Sequence, residues 1–199
     1  MAMNHERHWV LDIGNTCTKL AVFQEGQLKD TWMDQEAETE ANKAMIAGDL
    51  PAKMLIAASG ETPLFWDAWK TRWNASHPIP DTLVFLDSSM DLGFKIRYES
   101  LETIGLDRLA NAAAAIALKT NVPWLIIDLG TCMTVDAVEN SAFIGGSIAP
   151  GIDLRLRSMY AGTHALPYPD NWRELVSSGI AMHIGNNTIS CLLAGALGG

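Results

Sequence analysis

Several features are scarce in this chain, and each scarcity disfavours a class of protein. Its 199 residues include three cysteines, an odd number without a C-x-x-C pair, which indicates a reducing cytoplasm rather than a disulfide framework. Lys and Arg number 14 against 23 Asp and Glu, and the net charge of -9 argues against nucleic acid and anionic membranes as partners. The longest apolar run, 112–118, is far shorter than the roughly 18 residues of a membrane span. The polar residues 1–8 lack the apolar segment of a secretory signal.

What is present is an alternation of strand and helix patterns, which favours an α/β architecture. The apolar runs predict strands at Trp9–Ile13, Leu20–Phe23, Met54–Ala58, Leu83–Leu86, Trp124–Asp128 and Val135–Val138. The helical patterns are Asp34–Met45, Pro63–Trp73, Leu106–Lys119, Leu154–Tyr160 and a last helix starting near Asn187. A hairpin turn is expected at Gln24–Gln27.

One short pattern occurs twice. Leu11–Thr18 and Ile127–Thr134 each contain an apolar strand, an Asp, one apolar residue, a Gly, a Thr and the start of a return strand. Such self-similarity indicates two copies of one supersecondary unit. We therefore predict two domains, residues 1–118 and 119–199.

The residue types in these turns are suited to binding phosphate. Asp12 stands at the mouth of the first turn, and its glycine allows a ligand to approach the backbone. The threonine hydroxyl and successive N–H groups form an anion-binding concavity. Two such hairpins facing each other would hold a polyphosphate, with its magnesium on Asp12 directly or through water and Lys19 near the same phosphates. The alternative is a pair of ordinary hairpin turns.

Two further stretches have a structural and a functional interpretation. Gly145–Gly151 is either a structural loop or a loop whose glycines let the backbone lie flat against an adenine or ribose. Gly105–Arg108 opens the strongest helix, where Asp107 is either a helix cap or the acceptor of a proton from an attacking hydroxyl. In the second case Arg108 would pair with a substrate carboxylate.

Taken in order, these motifs resemble those of the type III pantothenate kinases, which are members of the actin-like ATPase superfamily. The resemblance covers essentially the whole chain. It rests on Asp12–Thr16 with Lys19, on Tyr98, on Gly105–Arg108, on Asp128 with Gly130, Thr131 and Thr134, on Gly145–Gly151, and on Gly185 with Asn187 and Thr188.

The resemblance implies a role for each matched position. ATP would be bound by Asp12, Ile13, Gly14, Asn15, Thr16, Cys17, Thr18 and Lys19, together with Thr131. Asp107 would be the catalytic base, and the pantothenate site would comprise Tyr98, Gly105, Leu106, Asp107, Arg108 and Thr188. Asp128 would bind a monovalent cation, potassium or ammonium, and Asp12 the magnesium ion.

The resemblance also implies fold, activity and assembly. It predicts two actin-like (ribonuclease H-like) domains with mixed sheets flanked by helices, and a cytoplasmic, homodimeric phosphotransferase with an alcohol acceptor. This enzyme would phosphorylate pantothenate at the first step of coenzyme A synthesis. Family members continue beyond the position of Gly198, so the second domain is expected to be short at its carboxyl end and to expose a sheet edge and an apolar face.

Two other functions remain as alternatives. The chain could be an actin-like sugar kinase, although Tyr98, Gly105–Arg108 and the Asn187–Thr188 pair argue against the substrate loops usual in such enzymes. It could also be a catalytically impaired nucleotide-binding regulator, against which the presence of Asp12 and Asp107 argues. These three functions differ in which acceptor stimulates ADP release.

Overall fold

The structure is a computed structural model that describes residues 7–76, 82–179 and 184–198. Residues 1–6, within the stretch that lacks a signal pattern, lie outside the described residues. The strands are β1 (Arg7–Ile13), β2 (Thr18–Gln24), β3 (Gln27–Met33), β4 (Lys53–Ala58), β5 (Leu83–Phe85), β6 (Lys95–Ile96), β7 (Trp124–Leu129), β8 (Cys132–Glu139) and β9 (Ala142–Pro150). The α-helices are α1 (Asp34–Ala47), α2 (Leu64–Ser76), α3 (Leu106–Leu118), α4 (Ile152–Ala161), α5 (Trp172–Ser177) and α6 (Thr188–Gly198). A single 3₁₀ turn covers Leu101–Thr103.

The predicted α/β class, with sheets flanked by helices, is confirmed, and each predicted strand and helix is present with limits shifted by a few residues. The sequence interpretation omitted β3, β6, β9 and α5. Strand β3 was missed because nearly all its residues are exposed and its apolar residues do not alternate with polar ones in a regular pattern. Its connection to β2 is the expected tight turn, in which Glu25 and Gly26 both have positive φ (54° and 73°).

The chain divides into two compact units, residues 1–120 and 121–199. The sheet of the first unit has the order β3-β2-β1-β4-β5. Strand β1 is antiparallel to β2 and parallel to β4, so this sheet is mixed.

Within the described part of the chain, no helix has the length and apolar character needed to cross a membrane.

One face of this sheet carries a tryptophan-rich core. Because side chains alternate along a strand, the buried residues Trp9, Leu11 and Ile13 of β1 share that face with the buried residues of β2 and β4. Helix α2 adds Trp66, Trp69 and Trp73 to the same cluster, and α1 adds two alanines. Asp12, which alternates with these positions, therefore lies on the opposite face of the sheet.

Trp69 is central in this core, which makes it a sharp test of the packing. Its ring lies 5.1 to 6.1 Å from the rings of three other tryptophans, and its indole N–H donates to the Ala41 carbonyl at 3.1 Å. We expect Trp69→Ala to lower the free energy of unfolding by about 3–5 kcal/mol, because it leaves a cavity and removes the indole hydrogen bond. Urea unfolding measures the change. Ile46→Ala, at a side chain that is 73% exposed on α1, is the control and should cost less than about 0.5 kcal/mol. A loss below about 1 kcal/mol at Trp69 would contradict this packing.

The second unit contains the antiparallel run β7-β8-β9 and helices α4 to α6. Its helices share an apolar cluster of Leu156, Trp172, Leu192, Leu193 and Ala196. An apolar face is exposed on β7, which is the last strand in the order of its sheet. Its alternate residues Leu125, Ile127 and Leu129 are exposed.

Asp153, in the first turn of α4, joins that helix to the segment leading into α5. Its carboxylate accepts hydrogen bonds from the Tyr168 hydroxyl (2.5 Å), the Trp172 indole (3.0 Å) and the Arg157 guanidinium (2.6 Å). Chiefly through the Tyr168 bond, and then through Arg157, these contacts lower the pKa of Asp153 to about 2. A carboxylate with a lowered pKa stabilises the fold above its unfolded pKa, and this contribution disappears as the pH falls through the folded pKa.

This pH dependence can be measured. We expect Asp153→Asn to reduce the free energy of unfolding by about 2 kcal/mol at pH 7, because the charge-assisted hydrogen bonds are weakened. The difference from the wild type should persist down to about pH 4 and shrink towards pH 2, where the wild-type carboxylate also becomes neutral. Urea unfolding at pH 7, 5, 4 and 3 would show this trend. Glu139→Gln, at an exposed carboxylate on β8, is the control. A difference that does not depend on pH would contradict the assignment.

Candidate active site

The first candidate phosphate loop, residues 14–17, joins β1 to β2 and is here called loop 1. The Gly14 amide donates to the Cys17 carbonyl at 3.1 Å, which closes the loop. Asp12 and Lys19 are directly opposite in the register of the two strands, so the carboxylate and the ammonium group share one face at the base of the loop. Asn15 and Thr16, at the tip, are exposed.

Loop 1 rests on the chain that follows β4. The amides of Ser59 and Gly60 both donate to the Ile13 carbonyl, at 2.9 and 3.2 Å. A Cβ on Gly60 would lie 2.9 Å from the Gly14 carbonyl oxygen, closer than real Cβ atoms approach, and a tight 3.3 Å from the Asn15 Cα. Only glycine therefore permits this approach, and Gly60 is a site residue that the sequence interpretation missed. The one available signal was a glycine just after a strand that runs parallel to β1.

The electrostatics of loop 1 come from Asp12 and Lys19 rather than from its cysteine. Burial, followed by the nearby Asp34 carboxylate, raises the pKa of the Cys17 thiol, and Lys19 offsets part of this effect. The thiol is therefore neutral at pH 7. Asp34 also accepts a hydrogen bond from the Thr18 amide at 2.8 Å, which ties the start of α1 to the start of β2.

The second candidate phosphate loop, Gly130–Thr131, joins β7 to β8 and is here called loop 2. It repeats the plan of loop 1: the Gly130 amide donates within the turn, to the Cys132 carbonyl at 3.0 Å. Asp128 lies opposite Thr134 in the strand register, as Asp12 lies opposite Lys19. Two residues separate β7 from β8, whereas four separate β1 from β2. The predicted repeat is thus confirmed as a hairpin, with different turn lengths.

Loop 2 also rests on a glycine. The Gly151 amide donates to the Thr131 carbonyl at 2.9 Å, and a Cβ on Gly151 would collide with the carbonyl oxygens of Gly130 and Thr131.

The interpretation of Gly145–Gly151 as a loop was wrong for most of this stretch. Gly145–Pro150 belong to strand β9. A Cβ on Gly146 would collide with the Val135 carbonyl, so glycine there allows β9 to approach β8 closely.

The Gly105–Arg108 motif begins α3, as predicted. Gly105 is the N-cap residue, and the Asp107 carboxylate, which is exposed, folds back to accept the Arg108 amide at 2.9 Å. A Cβ on Gly105 would meet this carboxylate, which would then have to turn away from the Arg108 amide. The helix N-terminus favours negative charge at this position. Arg108 is buried, and its guanidinium carbon lies 5.6 Å from the centre of the Tyr98 ring, so two residues assigned to the substrate site are in contact.

A cleft of about 320 Å³ lies within the first unit, between the ends of β4 and β5 and the start of α3. Its lining comprises Ala58, Ser59, Asp87, Ser88, Glu102, Thr103, Ile104, Gly105 and Leu106. Ser59 and the following Gly60 support loop 1, and Leu106 precedes Asp107. The cleft therefore brings the start of the Gly105–Arg108 motif next to the chain that supports loop 1.

Thr188 begins α6 in the second unit. The preceding Asn187 caps the helix: its side-chain oxygen accepts the Ser190 amide at 3.0 Å, and the Ser190 hydroxyl accepts the Asn187 amide at 3.1 Å. This reciprocal pair is a capping box. It fixes the first turn of α6, on which Thr188 is exposed.

Among the described residues, no group of three or more His, Cys, Asp or Glu side chains is placed to hold a metal ion. The structure therefore does not support a metal site made by protein groups alone. A single carboxylate at the base of a phosphate loop suits magnesium, which is commonly held by one or two carboxylates together with substrate phosphates and water. Asp12 fits that donor set.

Solved structures with similar folds include a conserved protein from Campylobacter jejuni that is assigned as a Baf-family transcriptional activator, with a TM-score of 0.53 and 17% identity over 94% of this chain and 72% of that chain. A protein assigned as a 2-dehydro-3-deoxygalactonokinase from Sinorhizobium meliloti has a TM-score of 0.52 and 15% identity over 96% of this chain and 78% of that chain. At these identities the likeness shows the fold alone.

Similarity in sequence is more specific. A type III pantothenate kinase of Christiangramia forsetii is 33% identical over 192 residues, which cover 96% of this chain and 74% of the relative. A type III pantothenate kinase of Phocaeicola vulgatus is 29% identical over 191 residues, again 96% and 74%. The family model for type III pantothenate kinase matches residues 9–199. The chain therefore belongs to the type III pantothenate kinase family.

Proposed function

We propose that this chain transfers the γ-phosphoryl group of ATP to the hydroxyl of pantothenate, forming 4'-phosphopantothenate for coenzyme A synthesis. Membership of the family names the reaction class. The observation that carries the proposal in the structure is the cleft of the first unit, which places Gly105 and Leu106 beside the chain that supports loop 1. A hydroxyl acceptor at the start of α3 would then lie near a bound phosphate.

The nucleotide is assigned to the two loops. In loop 1, whose tip residues are exposed, main-chain N–H groups and the Thr16 side chain would donate hydrogen bonds to phosphate oxygens, and Lys19 would neutralise their charge. In loop 2, Thr131 would make the corresponding contact. Magnesium, when bound, neutralises charge on the phosphates, and Asp12 is the residue that would hold it directly or through water.

Pantothenate is assigned to Tyr98, Gly105, Leu106, Asp107, Arg108 and Thr188. Asp107 would accept the hydrogen bond of the attacking hydroxyl and orient its oxygen. Phosphoryl transfer has a loose transition state, so positioning and charge neutralisation account for most of the catalysis. Arg108, held against Tyr98, would provide the positive charge for the substrate carboxylate.

The remaining assignments concern the cation, the assembly and the compartment. Asp128 would hold potassium or ammonium, and the buried Thr134 lies opposite it as a neighbouring oxygen donor. The active form would be a homodimer in the cytoplasm. These assignments rest on the family resemblance and on the position of Asp128.

The acceptor and cation requirements can be tested together. We expect ADP release, measured in a coupled assay, to depend on both pantothenate and potassium and to be negligible with glucose. Replacing potassium by sodium distinguishes a specific cation site from an effect of ionic strength. Glucose-dependent release would support a sugar kinase instead, and nucleotide binding without turnover would support a regulator.

The role of Asp107 has its own test. Because Asn cannot accept the hydroxyl proton, we expect Asp107→Asn to lower kcat by about 100-fold or more while leaving ATP affinity unchanged. Steady-state kinetics and ATP titration calorimetry measure the two quantities. Glu99→Gln, at another exposed carboxylate of the first unit, is the matched control and should keep its activity. A near-normal rate for Asp107→Asn would exclude the assignment.

A further inference from the structure

Arg155, on α4, joins two parts of the second unit through main-chain carbonyls. Its Nε donates to the Pro150 carbonyl at 2.8 Å, and its Nη1 donates to the Ala196 carbonyl at 3.0 Å. Pro150 is the last residue of β9, and Ala196 lies in the last turn of α6. One guanidinium therefore links the end of a strand to the end of a helix.

On the strand side, the link leads directly to loop 2. Pro150 is followed by Gly151, whose amide donates to the Thr131 carbonyl at 2.9 Å and whose missing side chain lets the loop lie against it. Pro150 is also opposite Cys132 in the register of β8 and β9. Any shift of the Pro150–Gly151 peptide would therefore move the main chain on which loop 2 rests.

On the helix side, Arg155 binds the carboxyl end of α6, which is held in place by its own packing. The last carbonyls of an α-helix have no partner within the helix and carry partial negative charge. No basic residue lies in the last turn of α6, so a guanidinium from α4 complements this charge. Helix α6 is held independently by its apolar face, where Leu192 and Leu193 belong to the same buried cluster as Leu156 of α4.

We propose that Arg155 is a positioning residue for ATP binding: anchored on the packed end of α6, it holds Pro150–Gly151 and thereby the phosphate-binding shape of loop 2. Arg155 would act through loop 2 and not by touching the nucleotide. The proposal rests on the proposed function only for the identity of the ligand of loop 2.

The guanidinium group suits this role better than other cations. Its planar fork offers several N–H donors in fixed directions, so two carbonyls from different elements can be held at one relative position. A lysine ammonium is a point charge on a flexible stem and would not constrain both at once. Arg155→Lys should therefore fail to restore the function that Arg155→Met removes.

Kinetics of the full chain test the proposal. We expect Arg155→Met to raise the KM for ATP by about tenfold, a factor that corresponds to about 1.4 kcal/mol. The KM for pantothenate should stay within about twofold, because the apolar packing of α6 is retained. Arg155→Lys should behave like Arg155→Met. The control is Arg157→Met on the same helix, which loses the Asp153 ion pair and should lower the thermal midpoint without changing the KM for ATP.

A second readout does not need catalysis. Amide hydrogen exchange at Gly151 reports its bond to the Thr131 carbonyl, and we expect faster exchange in Arg155→Met than in the wild type or in Arg157→Met. Unchanged exchange and unchanged KM for ATP would overturn the proposal. Arg155→Met could also lower the thermal midpoint while leaving the KM values for ATP and pantothenate unchanged, or raising them equally. That result would overturn the proposal, because it would show that Arg155 only stabilises the fold. A wild type that fails to phosphorylate pantothenate would contradict the proposed function, and the exchange measurement would still decide the role of Arg155.

Discussion

Close approach of main chain to main chain is the constraint on which both candidate phosphate loops depend. Loop 1 lies against Gly60, and loop 2 lies against Gly151; in each case a Cβ would come too near a carbonyl of the loop. Hydrogen bonds from the supporting chain then hold each hairpin in place, to the Ile13 carbonyl in the first unit and to the Thr131 carbonyl in the second. These supports are made by backbone groups, so they do not use the side chains of the loops.

The same sheet that packs a core on one face presents charge on the other. In β1 the buried positions carry large apolar groups, and the tryptophans of α2 cover them. Asp12 alternates with these residues and pairs in register with Lys19 of β2. The hydrophobic effect thus orients the strand, and this orientation places the carboxylate and the ammonium group together at the base of loop 1.

Much of the fold could be predicted from hydrophobic pattern, and the errors have physical causes. Strand β3 is almost entirely exposed and has no regular alternation of apolar and polar residues, so its pattern does not distinguish it from a loop. Strand β9 contains Gly145 and Gly146, which indicate a loop by propensity. Gly146 is required by the closeness of β8, and Gly145 has a positive φ of 109°. In both cases pairing with a neighbouring strand outweighed the local preference, as is usual for β-structure.

The candidate site likewise contains residues that the sequence predicted and residues that it did not. Residue spacing alone located the two Asp-x-Gly hairpins and the glycine and aspartate at the start of α3, because these depend on neighbours in sequence. It did not reveal Gly60 or Arg155, and it could not show that Arg108 is buried against Tyr98, since each of these involves a partner distant in sequence. Local motifs thus set which chemical groups the chain carries. Folding alone decided which main-chain segments approach closely enough to support them, because such approaches are governed by long-range packing that no short pattern encodes.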